Sequence, residues 1–143
     1  MTRAELVTVA RTWIDTPWRH QGRLKGVGVD CVGFLSEVGR ECGVLSVEET
    51  ANYQRRPDGK TLRAKLDRAL ILKPISDMRP GDVLLFNTVG AQPDHVGIVA
   101  DYPAAHELGV IHAYLPARKV IEHRIDASWR RKIVCAFHIP GLE

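Results

Sequence analysis

GVGVDCVGFL, residues 26–35, sets a cysteine between an aspartate and an apolar run, with Gly26, Gly28 and Gly33 crowded around it. Downstream, Cys31, Phe34, Leu35, Val38 and Cys42 recur at three- and four-residue spacing. That period predicts one amphipathic helix starting at Cys31. Asp30 suits its N-cap, because a short carboxylate can accept the free N–H groups of a first turn. Gly43 suits its stop, because glycine tolerates the left-handed conformation that ends helices. Three readings of Cys31 stand open here: a buried apolar filler, a metal ligand or a nucleophile.

Working outward, Leu6, Val9, Ala10 and Trp13 predict a helix over residues 3–14, with Thr2 as its cap. Residues 15–30 carry Pro17, Gly22, Gly26 and Gly28 and read as a loop. The polar stretch from Glu48 to Gly59 reads as a surface excursion. Leu62, Leu66, Ala69 and Leu70 predict a third helix, ended before Pro74. From Pro80 the texture changes to short β-favouring runs: Val83–Phe86, Val96–Ala100, Val110–Tyr114, Lys119–Arg124 and Ile133–Ile139. Helices first and closely spaced strands afterwards predict an α+β fold. Its N-terminal helices pack on an antiparallel sheet built from the second half. No repeat, low-complexity segment or long linker divides the chain, so one domain over residues 1–143 is expected.

Composition narrows the function classes. The 143 residues are 45% hydrophobic and 26% charged, which is the make-up of an ordinary globular protein. Net charge is only +3, and basic residues are scattered apart from Arg55-Arg56 and Arg130-Arg131-Lys132. No nucleic-acid partner is expected from such a pattern. No apolar run approaches the ~18 residues of a membrane span. The N-terminus lacks the apolar stretch and cleavage site of a secretory signal, so synthesis in the cytoplasm is expected, with some other route to any site of action outside. Three cysteines, Cys31, Cys42 and Cys135, argue against a disulfide framework. On one helix, Cys31 and Cys42 stand roughly 16 Å apart, beyond the about 7 Å that a disulfide allows between Cα atoms.

The chemistry rests on cysteine and histidine. A thiol attacks as its thiolate, and an ordinary pKa near 8.5 leaves only a few per cent ionised at neutral pH. A first-turn position favours the thiolate through the partial positive charge of the helix end. The Cys31 N–H is placed to help stabilise an oxyanion. His95 opens "HVGIVAD" and His112 lies in "VIHAY". A hairpin that pairs 95 with 112 sets 101 opposite 106, leaves a loop at 102–105, and makes the two histidines cross-strand neighbours. A slip of two residues leaves them diagonal neighbours. His112 can then orient His95 as a base. His20, His106, His123 and His138 read as ordinary residues. Cys31, His95 and His112 with a water could also hold zinc, although CxxC and HExxH patterns are absent. Gly26-Val27-Gly28 resembles part of a nucleotide loop, but no strand precedes it and Cys31 holds the third glycine position. No cofactor is expected.

"DCVGFL", "RPGDVLLF", "DHVGIVAD" and "VIHAY" together resemble, in order and approximate spacing, the NlpC-type cysteine peptidases (NlpC and its p-sixty relatives) from about Ala4 to about Pro140. The resemblance implies a compact papain-like fold. It also implies cleavage of peptidoglycan stem peptides, often between D-glutamate and a diamino acid. "DTPWRHQGRLKGVGVDCVGF" is similar to the start of the phage-tail and gene-transfer-agent branch, which implies particle proteins as partners. The alternative it leaves is an assembly component of such a particle with an idle or secondary peptidase site. By the resemblance Cys31 is the nucleophile, His95 the general base and His112 its orienting residue. Asp30 falls on the aspartate that binds substrate or caps the helix. Trp18 stands where the family usually has a tyrosine near the oxyanion site, and Val32 where serine is common.

Overall fold

In the computed structural model, which describes residues 1–45, 59–102 and 107–143, helix α1 (Arg3–Arg11) starts at Thr2. The Thr2 hydroxyl accepts the Glu5 N–H while the Glu5 carboxylate accepts the Thr2 N–H. This reciprocal pair satisfies two donors that a helix start otherwise leaves free. The helix is shorter than its period predicts. After Arg11 the chain tightens, with Trp13 N–H donating to Ala10 and Ile14 N–H to Arg11. Trp13 still reaches the core at 2% exposure.

Helix α2 (Cys31–Cys42) has the predicted bounds, with Asp30 as N-cap and Gly43 in the left-handed conformation at φ 67°. Helix α3 (Gly59–Ala69) follows. Most of the polar stretch from Glu48 to Gly59 lies outside the described residues, as does His106. The second half supplies β4 (Val83–Phe86), β5 (His95–Tyr102), β6 (Glu107–Tyr114), β7 (Lys119–Arg124) and β8 (Ile133–His138). Among the described residues, four helices and strands escape the sequence reading, besides two short 3-10 turns. The loop over 15–30 contains a short antiparallel pair, β1 (Arg23–Leu24) and β2 (Gly28–Val29). Strand β3 (Ile71–Lys73) pairs with β8. A four-residue helix, α4 (Ala127–Arg130), precedes β8.

The main sheet runs in the order β3-β8-β4-β5-β6-β7, with every neighbouring pair antiparallel. This is the expected α+β architecture. The sheet is covered on both faces, because successive strand residues point to opposite sides. Val83, Leu85, Ile98 and Ile111 join Leu6, Ala10, Phe34, Leu35 and Val38 in the larger core beneath the helices. Leu84, Phe86, Val99 and Val110 form a smaller core on the other face with Met78 and Ile125. Burial on both sides is why β4 reads as an unbroken apolar run.

The β5–β6 register differs from a direct pairing of His95 with His112. Ile98 faces Ile111, and the pairing continues to Tyr102 opposite Glu107. The shift is two residues, so parity is kept and both histidines stay on one face. Continuing that register brings Gly97 against His112. A Cβ on Gly97 would lie 2.7 Å from Val110 Cγ2 and 3.2 Å from His112 Cβ. Glycine is therefore the residue that this close strand approach admits.

A buried charge cluster fastens the N-terminus to the sheet. Asp82 is fully buried and accepts from Arg3 Nη1 at 2.8 Å, Lys73 Nζ at 2.7 Å and the Arg79 N–H at 2.7 Å. Arg3 also donates to the Pro80 carbonyl at 2.9 Å. Removing the carboxylate leaves two largely buried cations without their counter-charge. Asp82→Ala is expected to lower unfolding stability by roughly 3–5 kcal/mol, read as a lower urea midpoint at unchanged slope.

Candidate active site

The site forms where the start of α2 meets the open ends of β5 and β6. Asp30 shapes the loop that leads into it. One Asp30 oxygen accepts the Gly33 N–H at 2.9 Å and Arg23 Nη1 at 3.2 Å, and the other accepts the Gln21 N–H at 2.7 Å. Gln21 sits in the left-handed region at φ 59°, which costs a non-glycine roughly 1 kcal/mol. The Asp30 bond offsets that cost. Glycines give the loop its closeness to the helix: a Cβ on Gly33 would lie 2.5 Å from the Gly22 carbonyl oxygen. Gly26 has open space around it and instead takes the left-handed conformation at φ 76°.

Cys31 follows as the first residue of α2, 7% exposed. It lines a cavity of about 80 Å³ together with His95, Trp18, Thr88, Val89, Asp94, Ala113, Tyr114, Leu115 and Pro116. The thiol and the imidazole predicted to work together thus share one pocket, and Trp18 forms part of its wall. Trp18 is held by main-chain pairing. Its N–H donates to Arg118, and its neighbours Pro17 and Arg19 bond Val29. Asp30 is not among the described residues that line the cavity, and its oxygens point into the loop behind Cys31.

Asp94 organises the opposite rim much as Asp30 organises the first. Its carboxylate accepts the Thr88 N–H at 2.9 Å, the Thr88 hydroxyl at 2.8 Å and the Val89 N–H at 3.0 Å. This closes the turn between β4 and β5 and sets His95 at the head of its strand.

Behind His95 runs a line of imidazoles. His95 Nε2 lies 2.6 Å from His112 Nδ1. His112 Nε2 lies 2.8 Å from His123 Nε2, and His123 Nδ1 lies 2.9 Å from the Arg124 carbonyl oxygen. The β6–β7 register, with Val110 opposite His123 and Ile121 opposite His112, makes His112 and His123 diagonal neighbours. Phe86, Tyr114 and Trp129 enclose the three rings. Tyr114 stacks on His112 at 5.0 Å, Trp129 meets it edge-on at 5.1 Å, and Phe86 packs against His95 at 5.9 Å. Trp129 is placed by Asp126, which caps α4 by accepting the Trp129 N–H.

His123 is the residue that sequence reasoning missed. The signal was present, since a tight connection between the 110–114 and 119–124 runs puts 123 two residues from the partner of 112. His112 faces a histidine on each side, and His95 has one nitrogen turned to His112. Among the described residues no group of three His, Cys, Asp or Glu side chains is arranged to hold a metal ion.

Burial dominates the electrostatics. The Cys31 thiol is pushed up to about 12, first by burial and then by the Asp30 charge, while the Val96 and Val32 N–H groups act in the opposite direction. His95 is pushed down to about 4, chiefly by burial, with Asp94 opposing. His112 is held well below the usual imidazole range by burial and by its histidine neighbours. Burial thus disfavours both the thiolate of Cys31 and the imidazolium of His95. All three cysteines are buried and free.

An α+β scaffold that presents a helix-borne thiol to a strand-borne imidazole defines the papain-like class. The NlpC/P60 family model matches residues 15–137, and the chain belongs to that family, whose members are cysteine peptidases acting on peptidoglycan. Solved structures share the fold. The NlpC/p60 domain of the peptidoglycan hydrolase SagA is 21% identical at a TM-score of 0.69, covering 97% of this chain and all of that one. An NlpC/P60 family protein from Bacillus cereus is 17% identical at 0.68, covering 95% of this chain but only 39% of its own. An N-acetylmuramoyl-L-alanine amidase from Bacteroides uniformis is 13% identical at 0.65, covering 97% and 99%. No curated protein sequence matches the chain.

Two measurements follow from the electrostatics. With the thiol pushed up to about 12, alkylation of Cys31 by iodoacetamide should climb about tenfold per pH unit from neutrality to pH 10, because only thiolate reacts. A plateau reaching down to acid pH would show an ion pair instead. Below about pH 6.5 an unfolded histidine binds a proton, whereas folded His95 refuses one until about 4. The unfolded state then binds more protons, so stability falls as pH drops through that window. His95→Phe should flatten the decline in urea titrations.

Proposed function

We propose that this protein is a cysteine endopeptidase that hydrolyses peptidoglycan stem peptides, in particular the amide between D-glutamate and a diamino acid. The observation that carries this reading is Cys31 at the head of α2 sharing one cavity with His95, whose far nitrogen lies 2.6 Å from His112. His95 turns Nε2 to His112, which leaves Nδ1 for the thiol.

Catalysis then proceeds as general-base activation of a neutral thiol. As Cys31 Sγ attacks the amide carbonyl carbon, its proton passes to His95 Nδ1. The carbonyl oxygen takes up the negative charge, which the Cys31 N–H and the positive end of α2 stabilise. His95 gives the proton to the leaving amine and the C–N bond breaks, leaving a thioester on Cys31. Water attacks the thioester while His95 takes its proton. The acid product leaves, and the proton returns to sulfur. His112 holds the imidazole in place throughout. Trp18 bounds the substrate pocket with an apolar face and one N–H donor. Asp30 supports the reaction by capping α2 and fixing the loop before Cys31.

The resemblance of "DTPWRHQGRLKGVGVDCVGF" to the phage-tail and gene-transfer-agent branch supports a role as a particle-borne wall hydrolase, made in the cytoplasm and carried to the wall by the particle. Purified protein should cleave defined muropeptides at the D-glutamyl–diamino acid bond, with products identified by mass spectrometry. Cys31→Ala should abolish cleavage. Equal cleavage by the variant, or none across several cross-bridge types, overturns the reading. Cleavage next to muramic acid would make the protein an amidase instead.

A further inference from the structure

The three imidazoles end on a group that cannot donate a hydrogen bond. The Arg124 carbonyl oxygen, 2.9 Å from His123 Nδ1, is an acceptor only, so His123 Nδ1 carries the proton and donates. In a neutral ring the other nitrogen is then a lone pair. His123 Nε2 therefore accepts, and His112 Nε2 donates to it across 2.8 Å. His112 Nδ1 is left as an acceptor, and His95 Nε2 donates to it across 2.6 Å. The last proton is now placed: His95 Nδ1 is a lone pair. One backbone carbonyl thus sets the tautomer of three rings in succession, over three neighbouring strands.

We infer that His123 is a positioning residue, which acts through His112 to keep the unprotonated Nδ1 of His95 turned to Cys31. The inference rests on the proposed peptidase reading. Burial disfavours a cation on His112 within its cage. Trp129 and Tyr114 limit how His112 can turn, with ring centres 5.1 and 5.0 Å away. His112 is fully buried, so water does not substitute for His123 as the acceptor at its Nε2. A donor-only group at 123 would reverse the sequence. His112 Nε2 would accept, His112 Nδ1 would donate to His95 Nε2, and His95 would carry its proton on Nδ1. The base would then point an N–H at the thiol.

Glutamine and lysine at 123 separate this role from simple packing. Glutamine offers an acceptor oxygen, whereas the lysine ammonium offers none. With muropeptide substrate, His123→Gln should cleave within about threefold of wild type, while His123→Lys should lose roughly 100-fold in kcat at unchanged KM. Long-range nitrogen–proton correlation NMR on histidine-labelled protein reads the tautomers without substrate. Wild type and His123→Gln should show His95 protonated at Nε2, and His123→Lys should show it protonated at Nδ1. A wild-type His95 protonated at Nδ1 overturns the inference, as does a lysine variant that matches glutamine in both readouts. Should His123→Lys fail to fold, the wild-type spectrum decides. A wild type that cleaves nothing while showing the Nε2 tautomer counts against the peptidase reading and not against the tautomer chain.

Discussion

The close approach of β5 and β6 at Gly97 is the constraint on which the rest of the site depends. A side chain there would meet Val110 and His112, so the strands could not keep their spacing. With them at that spacing, the two-residue offset sets His95 and His112 as diagonal neighbours, and an imidazole is long enough to span the gap. The same diagonal continues from His112 to His123 across the next pair of strands. Sheet register is a hard constraint because a slip by one residue would turn one histidine to the opposite face. The apolar residues on both faces, Ile98 and Ile111 on one and Val99 and Val110 on the other, oppose any such slip.

Capping carboxylates complete the placement. Asp30 immediately precedes Cys31, Asp94 immediately precedes His95, and Asp126 caps the turn that carries Trp129. Each accepts main-chain N–H groups that a tight turn or helix start would otherwise leave unpaired. The carboxylates thus act on backbone geometry. Their charge works against the thiolate, as the effects of Asp30 and Asp94 on Cys31 show. Geometry is secured at the expense of thiolate stability.

Much of the fold was legible because its signals are local. The 3.6-residue period from Cys31 to Cys42 and the capping pair Asp30 and Gly43 gave α2 its bounds. The strands Val83–Phe86 and Lys119–Arg124 were read to the residue. What escaped was short or depended on partners. Strand β3 has three residues and exists through its pairing with β8. The β1–β2 pair has two residues per strand, within a glycine-rich loop. Helix α1 stops at Arg11 although its apolar period runs on to Trp13, because the next turns tighten while Trp13 still packs in the core.

The candidate site divides along the same line. The sequence by itself determined Cys31 at a helix start, His95 and His112 on adjacent strands with matching parity, and the mixed architecture that holds them, since each follows from period, capping or alternation within a short stretch. Only the tertiary structure decided that Trp18 and Cys31 share a cavity with His95, that burial disfavours the thiolate, and that His123 stands behind His112 under Trp129. Those facts depend on burial and on contacts between segments far apart in the chain. Desolvation and cross-strand distance are properties of the packed molecule, and a linear pattern does not carry them.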